Sequence, residues 1–134
     1  MVLKHLFSLL IFGFAIAASA GGFEQAESFR IQGNHAKALS LYIAAAADGH
    51  PVANHWAGIY YFEGFGVDRN AIEAAKYFLA SAQTGVEGSM IYLAKIYLKG
   101  EGLPKDCERA KYWITRATRG NISKAWKAEL KSCT

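Results

Sequence analysis

Cys107 and Cys133, the histidines His35, His50 and His55, and the glycine pair Gly64-x-Gly66 are the groups in this chain best suited to chemistry. Zinc hydrolysis requires histidines one helical turn apart with a glutamate beside the first, and none of the three stands in a His-Glu-x-x-His pattern. Covalent acyl transfer requires an activated nucleophile, yet beyond residue 20 the chain has no Ser-x-x-Lys, Gly-x-Ser-x-Gly or Lys-Thr-Gly motif. A phosphate loop follows a strand and carries further glycines, whereas Gly64-x-Gly66 follows a helical pattern. His35 and His50 read as turn residues. Asn121-Ile122-Ser123 is a glycosylation sequon, with meaning only in a eukaryotic secretory pathway. The expectation is therefore a non-enzymatic protein with no catalytic residues, no metal and no cofactor.

The two cysteines suit a structural role. Each lies 13 residues from Gly120, one before it and one after, so an antiparallel hairpin turning at Gly120 would bring them level. An even number of cysteines in an exported chain favours a Cys107–Cys133 disulfide, with two unpaired buried thiols as the alternative. Export is read from the first twenty residues: Lys4, an apolar stretch from Leu6 to Ala18, and Ala18-Ser19-Ala20 as a small-residue cleavage site before Gly21. The alternative is a membrane anchor, but the apolar stretch falls short of the roughly 20 residues a spanning helix needs. A periplasmic or secreted location, with no stable membrane anchor after cleavage, follows from that reading.

Positioning falls to repeated elements. Gly49, Gly85 and Gly120 are 36 and 35 residues apart, a period typical of helical solenoids. Tyr61-x-x-Gly64-x-Gly66 is echoed by Tyr97-x-x-Gly100-x-Gly102, and Ala75-Lys76-Tyr77-Phe78 by Ala110-Lys111-Tyr112-Trp113. Val52, Trp56, Ile59, Tyr60 and Phe62 recur at helical intervals, which predicts a first helix ended by Gly64 in the left-handed conformation. Asn70 and Asp106 would cap the returning helices, over about 71–84 and 107–119, with Glu73 completing a capping box. Small residues at Gly58, Ala94, Ala75, Ala82, Ala110 and Ala117 would let the two helices of a pair approach. Residues 21–134 thus form one domain: a partial repeat at 23–50, repeats at 51–85 and 86–120, and a capping helix within 121–134.

Charge is uneven along that domain. Residues 86–134 hold ten Lys or Arg against five Asp or Glu, while residues 21–63 hold two against four. The mild net charge of +4 gives no reason to expect a nucleic-acid partner, and the basic C-terminal half favours an acidic one.

With Leu93-Ala94-x-Ile96-Tyr97-x-x-Gly100-x-Gly102, Asp106-x-x-Arg109-Ala110 and Ala117-x-x-Gly120 in line, the chain resembles Sel-1-like repeat (SLR) proteins, relatives of the tetratricopeptide group. The resemblance covers residues 51–120 strongly, and 23–50 and 121–134 in part. It implies an all-α, right-handed α/α superhelical solenoid with a C-terminal capping helix, acting as an adaptor or scaffold. Exported members are linked to envelope or secreted effector complexes, and some neutralise toxic effectors as immunity proteins. Certain cysteine-rich members bind or hydrolyse β-lactams; here Ala46, Ala82 and Ala117 stand where their cysteines would sit, so that activity is not carried over.

In tetratricopeptide-like stacks the first helices line a concave groove. Transferring that geometry selects His55, Ile59 and Phe62 in one unit, Ile91, Lys95, Leu98 and Lys99 in the next, and Trp126 in the last helix, as the surface for a protein partner. The alternative is that Ile59, Phe62 and Ile91 are core residues of a helix rotated away from this estimate. The stack itself is expected to be monomeric.

Overall fold

The computed structural model describes residues 21–133; the leader reading of residues 1–20 lies outside them. Among the described residues there are seven helices and no strand. Residues 21–31 form α1, followed by α2 (His35–Ala47), α3 (Pro51–Glu63), α4 (Ala71–Gln83), α5 (Glu87–Lys99), α6 (Cys107–Ala117) and α7 (Lys124–Cys133). They pair as α1/α2, α3/α4 and α5/α6, each pair stacking on the next, with α7 last: an α/α solenoid.

The turn glycines explain the period. Gly64 (φ 80°) and Gly100 (φ 70°) adopt the left-handed conformation and donate their N–H groups to Tyr60 O and Ile96 O, closing α3 and α5. The second glycine of each turn has a different task. A Cβ at Gly66 would lie 2.5 Å from Ala36 N, and one at Gly102 would lie 2.6 Å from Ala71 C, so each turn sits directly on the backbone at the start of the preceding unit's second helix.

Capping of the second helices departs from expectation in one respect. Asn70 accepts from Glu73 N at 3.1 Å and Asp106 from Arg109 N at 2.9 Å, as caps do. Glu73, however, pairs with Lys76 at 2.5 Å rather than reaching back. The reason is that the Asn70 N–H is already donated to Tyr61 O at 2.8 Å, and the Asp106 N–H to Tyr97 O at 2.9 Å. With the first helix's carbonyl satisfying that donor, the reciprocal half of a capping box has nothing to do.

Packing within a pair relies on the small residues. A Cβ at Gly58 would meet the Phe78 ring at 2.7 Å, and Ala75, Ala82, Ala94, Ala110 and Ala117 are all buried. Two core clusters result, one around Tyr42 and Tyr60, the other around Phe78, Leu93, Ile96 and Ile114, and Tyr61 packs against both. Burying aromatic and aliphatic side chains of this size contributes roughly 1.5–3 kcal/mol apiece, so the shared spine dominates the fold's energetics. The two buried polar side chains among the described residues are satisfied: Ser81 donates to Pro51 O at 3.2 Å, and Ser89 pairs with His55.

The C-terminal end is thinner. α6 stops at Ala117 rather than Arg119, because Arg119 (φ 52°) and Gly120 (φ 83°) turn the chain, and α7 begins only at Lys124. No residue of α7 is buried; Ile122, Trp126 and Leu130 are partly covered by the second cluster. Cys107 and Cys133 are joined, with their Cα atoms 5.8 Å apart, fixing the start of α6 to the end of α7.

Candidate functional site: the first-helix face

α3 and α5 lie side by side as the first helices of adjacent units, and their contact forms an aromatic seam. His55 Nδ1 is 2.8 Å from Ser89 Oγ on α5, and its ring lies against Trp56, Phe78 and Tyr92. Gly88 makes room for it, since a Cβ there would come within 2.9 Å of the imidazole. Burial pushes the His55 pKa below its ordinary value, so the ring is held neutral and serves as a hydrogen-bonded packing group.

One and two helical turns further on, Ile59 and Phe62 continue the same seam. Phe62 meets Tyr92 edge-on at 5.5 Å and Phe78 at 6.3 Å, while Tyr92 stacks on Phe78 at 4.6 Å. The Arg69 guanidinium lies 5.1 Å from the Phe62 ring, donates to Phe62 O at 2.8 Å and pairs with Glu101 at 2.8 Å. His55, Ile59 and Phe62 are thus partly buried seam residues rather than an open row, and Ile91 and Trp126 are partly buried against the C-terminal cluster. The Phe62 and Tyr92 rings of this seam remain partly exposed.

Lys95 and Lys99 behave differently. Both are exposed, one helical turn apart on α5, and neither makes an ion pair among the described residues. Lys95 Nζ sits 5.5 Å from the Tyr92 ring. Leu98 and Lys99 line a hollow between α5 and α7, with Lys105, Glu129, Ser132 and Cys133. The structure therefore joins His55, Phe62 and Lys95 through Tyr92, leaves Ile59 partly buried against the core, and places Leu98 and Lys99 at the far end beside α7.

Tyr92 is the residue that sequence reasoning missed. It stands seven residues after Gly85, as Trp56 stands seven after Gly49, so the repeat alignment carried the signal. A second group also went unread. The Tyr42 hydroxyl donates to Glu27, Arg30 donates to Glu27 Oε2 from Nη2 at 2.7 Å and Nε at 3.1 Å, and the guanidinium lies 4.8 Å from the Trp56 ring. Burial alone would raise the Glu27 carboxyl, but the hydrogen bonds from Arg30 and Tyr42 outweigh it and hold the group below its usual range. Burial and the Glu27 charge together push the Tyr42 hydroxyl well up.

Among the described residues no three His, Cys, Asp or Glu side chains are grouped to hold a metal ion, and no helix is long and apolar enough to cross a membrane. Stacked helix pairs presenting a packed aromatic seam and a basic edge define a helical-repeat protein. More narrowly, the Sel1 repeat model matches residues 26–50, 51–86 and 88–122, and the chain belongs to the Sel1 repeat family. Proteins of this family generally serve as non-catalytic protein-interaction modules.

Two solved structures are similar. A Sel1 repeat protein from Oxalobacter formigenes is 30% identical, with a TM-score of 0.61 over 63% of this chain and 64% of that one. The protein c5321, a protective antigen present in uropathogenic Escherichia coli strains and displaying an SLR fold, is 26% identical, with a TM-score of 0.68 over 82% of this chain and 24% of that one. The chain thus spans just under two thirds of the first protein and about a quarter of the second.

Proposed function

We propose that this chain is a non-enzymatic binding module of the bacterial periplasm or envelope that grips an acidic segment of a partner protein across α3 and α5. One observation carries the reading: Lys95 stands exposed beside the packed Tyr92 and Phe62 rings, with Lys99 one helical turn further along α5 toward α7, and neither has an ion-pair partner among the described residues. Aromatic anchors edged by charge are the composition of an interface hot spot, and rings already packed on one another have less side-chain freedom to lose on binding. The export reading of residues 1–20, the Cys107–Cys133 bond and the protective-antigen description of c5321 support a location outside the cytoplasm.

Affinity capture from an envelope extract, followed by salt-titrated binding of the captured protein, tests this. Lys95→Glu with Lys99→Glu is expected to weaken binding roughly tenfold or more, with the effect fading at high salt. Unchanged capture would remove this face from consideration. Saturable turnover of a chromogenic β-lactam or of peptidoglycan fragments would overturn the non-enzymatic assignment.

A further inference from the structure

We propose that the cleft between α6 and α7 is a second binding site, separate from the α3–α5 face, for an acidic peptide segment carrying an aliphatic side chain. The cleft encloses about 400 Å³. Its apolar lining is Ile122 and Leu130, both partly buried, with Cys107 at one end. Lys111 on α6 and Lys127 on α7 both line it, exposed and without an ion pair among the described residues. Lys131 and Glu108 complete the lining, Glu108 being its one carboxylate among the described residues. An apolar hollow edged by Lys111 and Lys127, neither ion-paired among the described residues, complements a ligand of the opposite pattern: carboxylates flanking one aliphatic group.

The walls are fixed in advance. No residue of α7 is fully buried; Trp126 and Leu130 pack partly against the core, and the Cys107–Cys133 bond ties the helix to the first residue of α6. A covalently held cleft loses little freedom on binding. Another helix pair from a second copy fits less well than a peptide. Gly58 and Ala94, each nine residues after a unit glycine, leave room for a returning helix, whereas Glu129 occupies that place after Gly120. α7 is thus not shaped to extend the stack. This site stands independently of the proposed partner on the α3–α5 face.

Two synthetic octapeptides test the proposal against the oxidised protein: one alternating Glu and Leu, the other all Glu, with binding read by fluorescence anisotropy and by amide shifts in NMR. The alternating peptide is expected to shift Ile122 and Leu130. It should bind roughly fivefold or more tighter than octaglutamate, and lose roughly tenfold in Lys111→Glu with Lys127→Glu. Lys95→Glu with Lys99→Glu should cost clearly less than Lys111→Glu with Lys127→Glu, since neither Lys95 nor Lys99 lines the cleft. Lys111→Ala with Lys127→Ala, at the same exposed positions, should give a weaker loss in the same direction. Reduction with dithiothreitol should abolish the binding.

Equal affinity of native and Lys111→Glu/Lys127→Glu protein, shifts confined to the Lys95–Lys99 face, or equal binding of the two peptides would each overturn the site. In the second case the binding belongs to the first-helix face, and in the third it is bare charge attraction. Binding that survives reduction would overturn the claim that the disulfide shapes the cleft.

Discussion

The two ends of the solenoid solve one problem by opposite means. A terminal unit has a neighbour on one side only, so it frays unless something extra holds it. At the N-terminal end that something is side-chain packing: Ala26 and Tyr42 are fully buried, Phe23 stacks on His50 at 4.2 Å, and Glu27 accepts from both Tyr42 and Arg30. At the C-terminal end α7 buries nothing fully and is held by a covalent bond. A short basic helix whose polar face looks outward has too little apolar surface to pin itself, and the disulfide supplies what the core does not.

Removing that bond is the most damaging way to test the contrast. Cys107→Ser with Cys133→Ser frees a loop closed over 26 residues of separation, and is expected to lower stability by about 3–4 kcal/mol in chemical denaturation, as the chain-entropy model gives for loops of this length. Hydrogen exchange should localise the loss, with α7 amides unprotected and those of α1 to α4 unchanged. Retained protection in α7 would mean that Trp126 and Leu130 hold it unaided, and the two ends would no longer differ in kind.

At the other end the corresponding cut is Tyr42→Phe. It deletes the hydroxyl that donates to a carboxylate in a partly buried place, and leaves Glu27 short of one partner. The expected cost is about 1–3 kcal/mol, below the disulfide's, with exchange quickened in α1 and α2. Glu27→Gln together with Tyr42→Phe should cost less than the sum of the two changes, because both remove one interaction. Additive losses would show that the hydroxyl and the carboxylate act separately.

These two devices differ also in how far they could be read in advance. The helix pairs were legible because turn chemistry is local: Gly64, Gly100, Asn70 and Asp106 act within a few residues of themselves. The first-helix face was legible only in part. α3 carries apolar residues on most of its circumference, with Trp56 toward Tyr42, Gly58 toward Phe78, and His55 and Phe62 toward Tyr92, so periodicity alone does not say which stripe meets solvent. Charge settles it where hydrophobicity does not, and Lys95 and Lys99 are the exposed members of the set. The link from Glu27 to Tyr42 spans 15 residues and a turn, and it depends on how α1 and α2 cross. The half-made capping box failed for a related reason: the Asn70 donor is met by Tyr61 O from another helix, a partner that no local pattern announces.

Acid should separate the regions again, with the smallest effects of all. In the seam, the folded protein holds the His55 pKa below its unfolded value of about 6.5 because burial disfavours the imidazolium. The unfolded chain therefore takes up that proton first. The stability due to neutral His55 is complete above about pH 6.5 and is lost as pH falls from there through the lowered folded value. At the N-terminal end the folded Glu27 pKa also lies low, against an unfolded value near 4.3, so its contribution is complete above that value and is lost only as pH falls further. A titration of stability against pH should accordingly show two successive losses on acidification. His55→Gln, which can still bond Ser89, should flatten the upper one, and Glu27→Gln the lower. NMR of the His55 ring supplies the independent check: an ordinary imidazole titration, with the Ser89 contact intact at pH 6, would place the ring in solvent and break the distinction between a packed seam and an open groove.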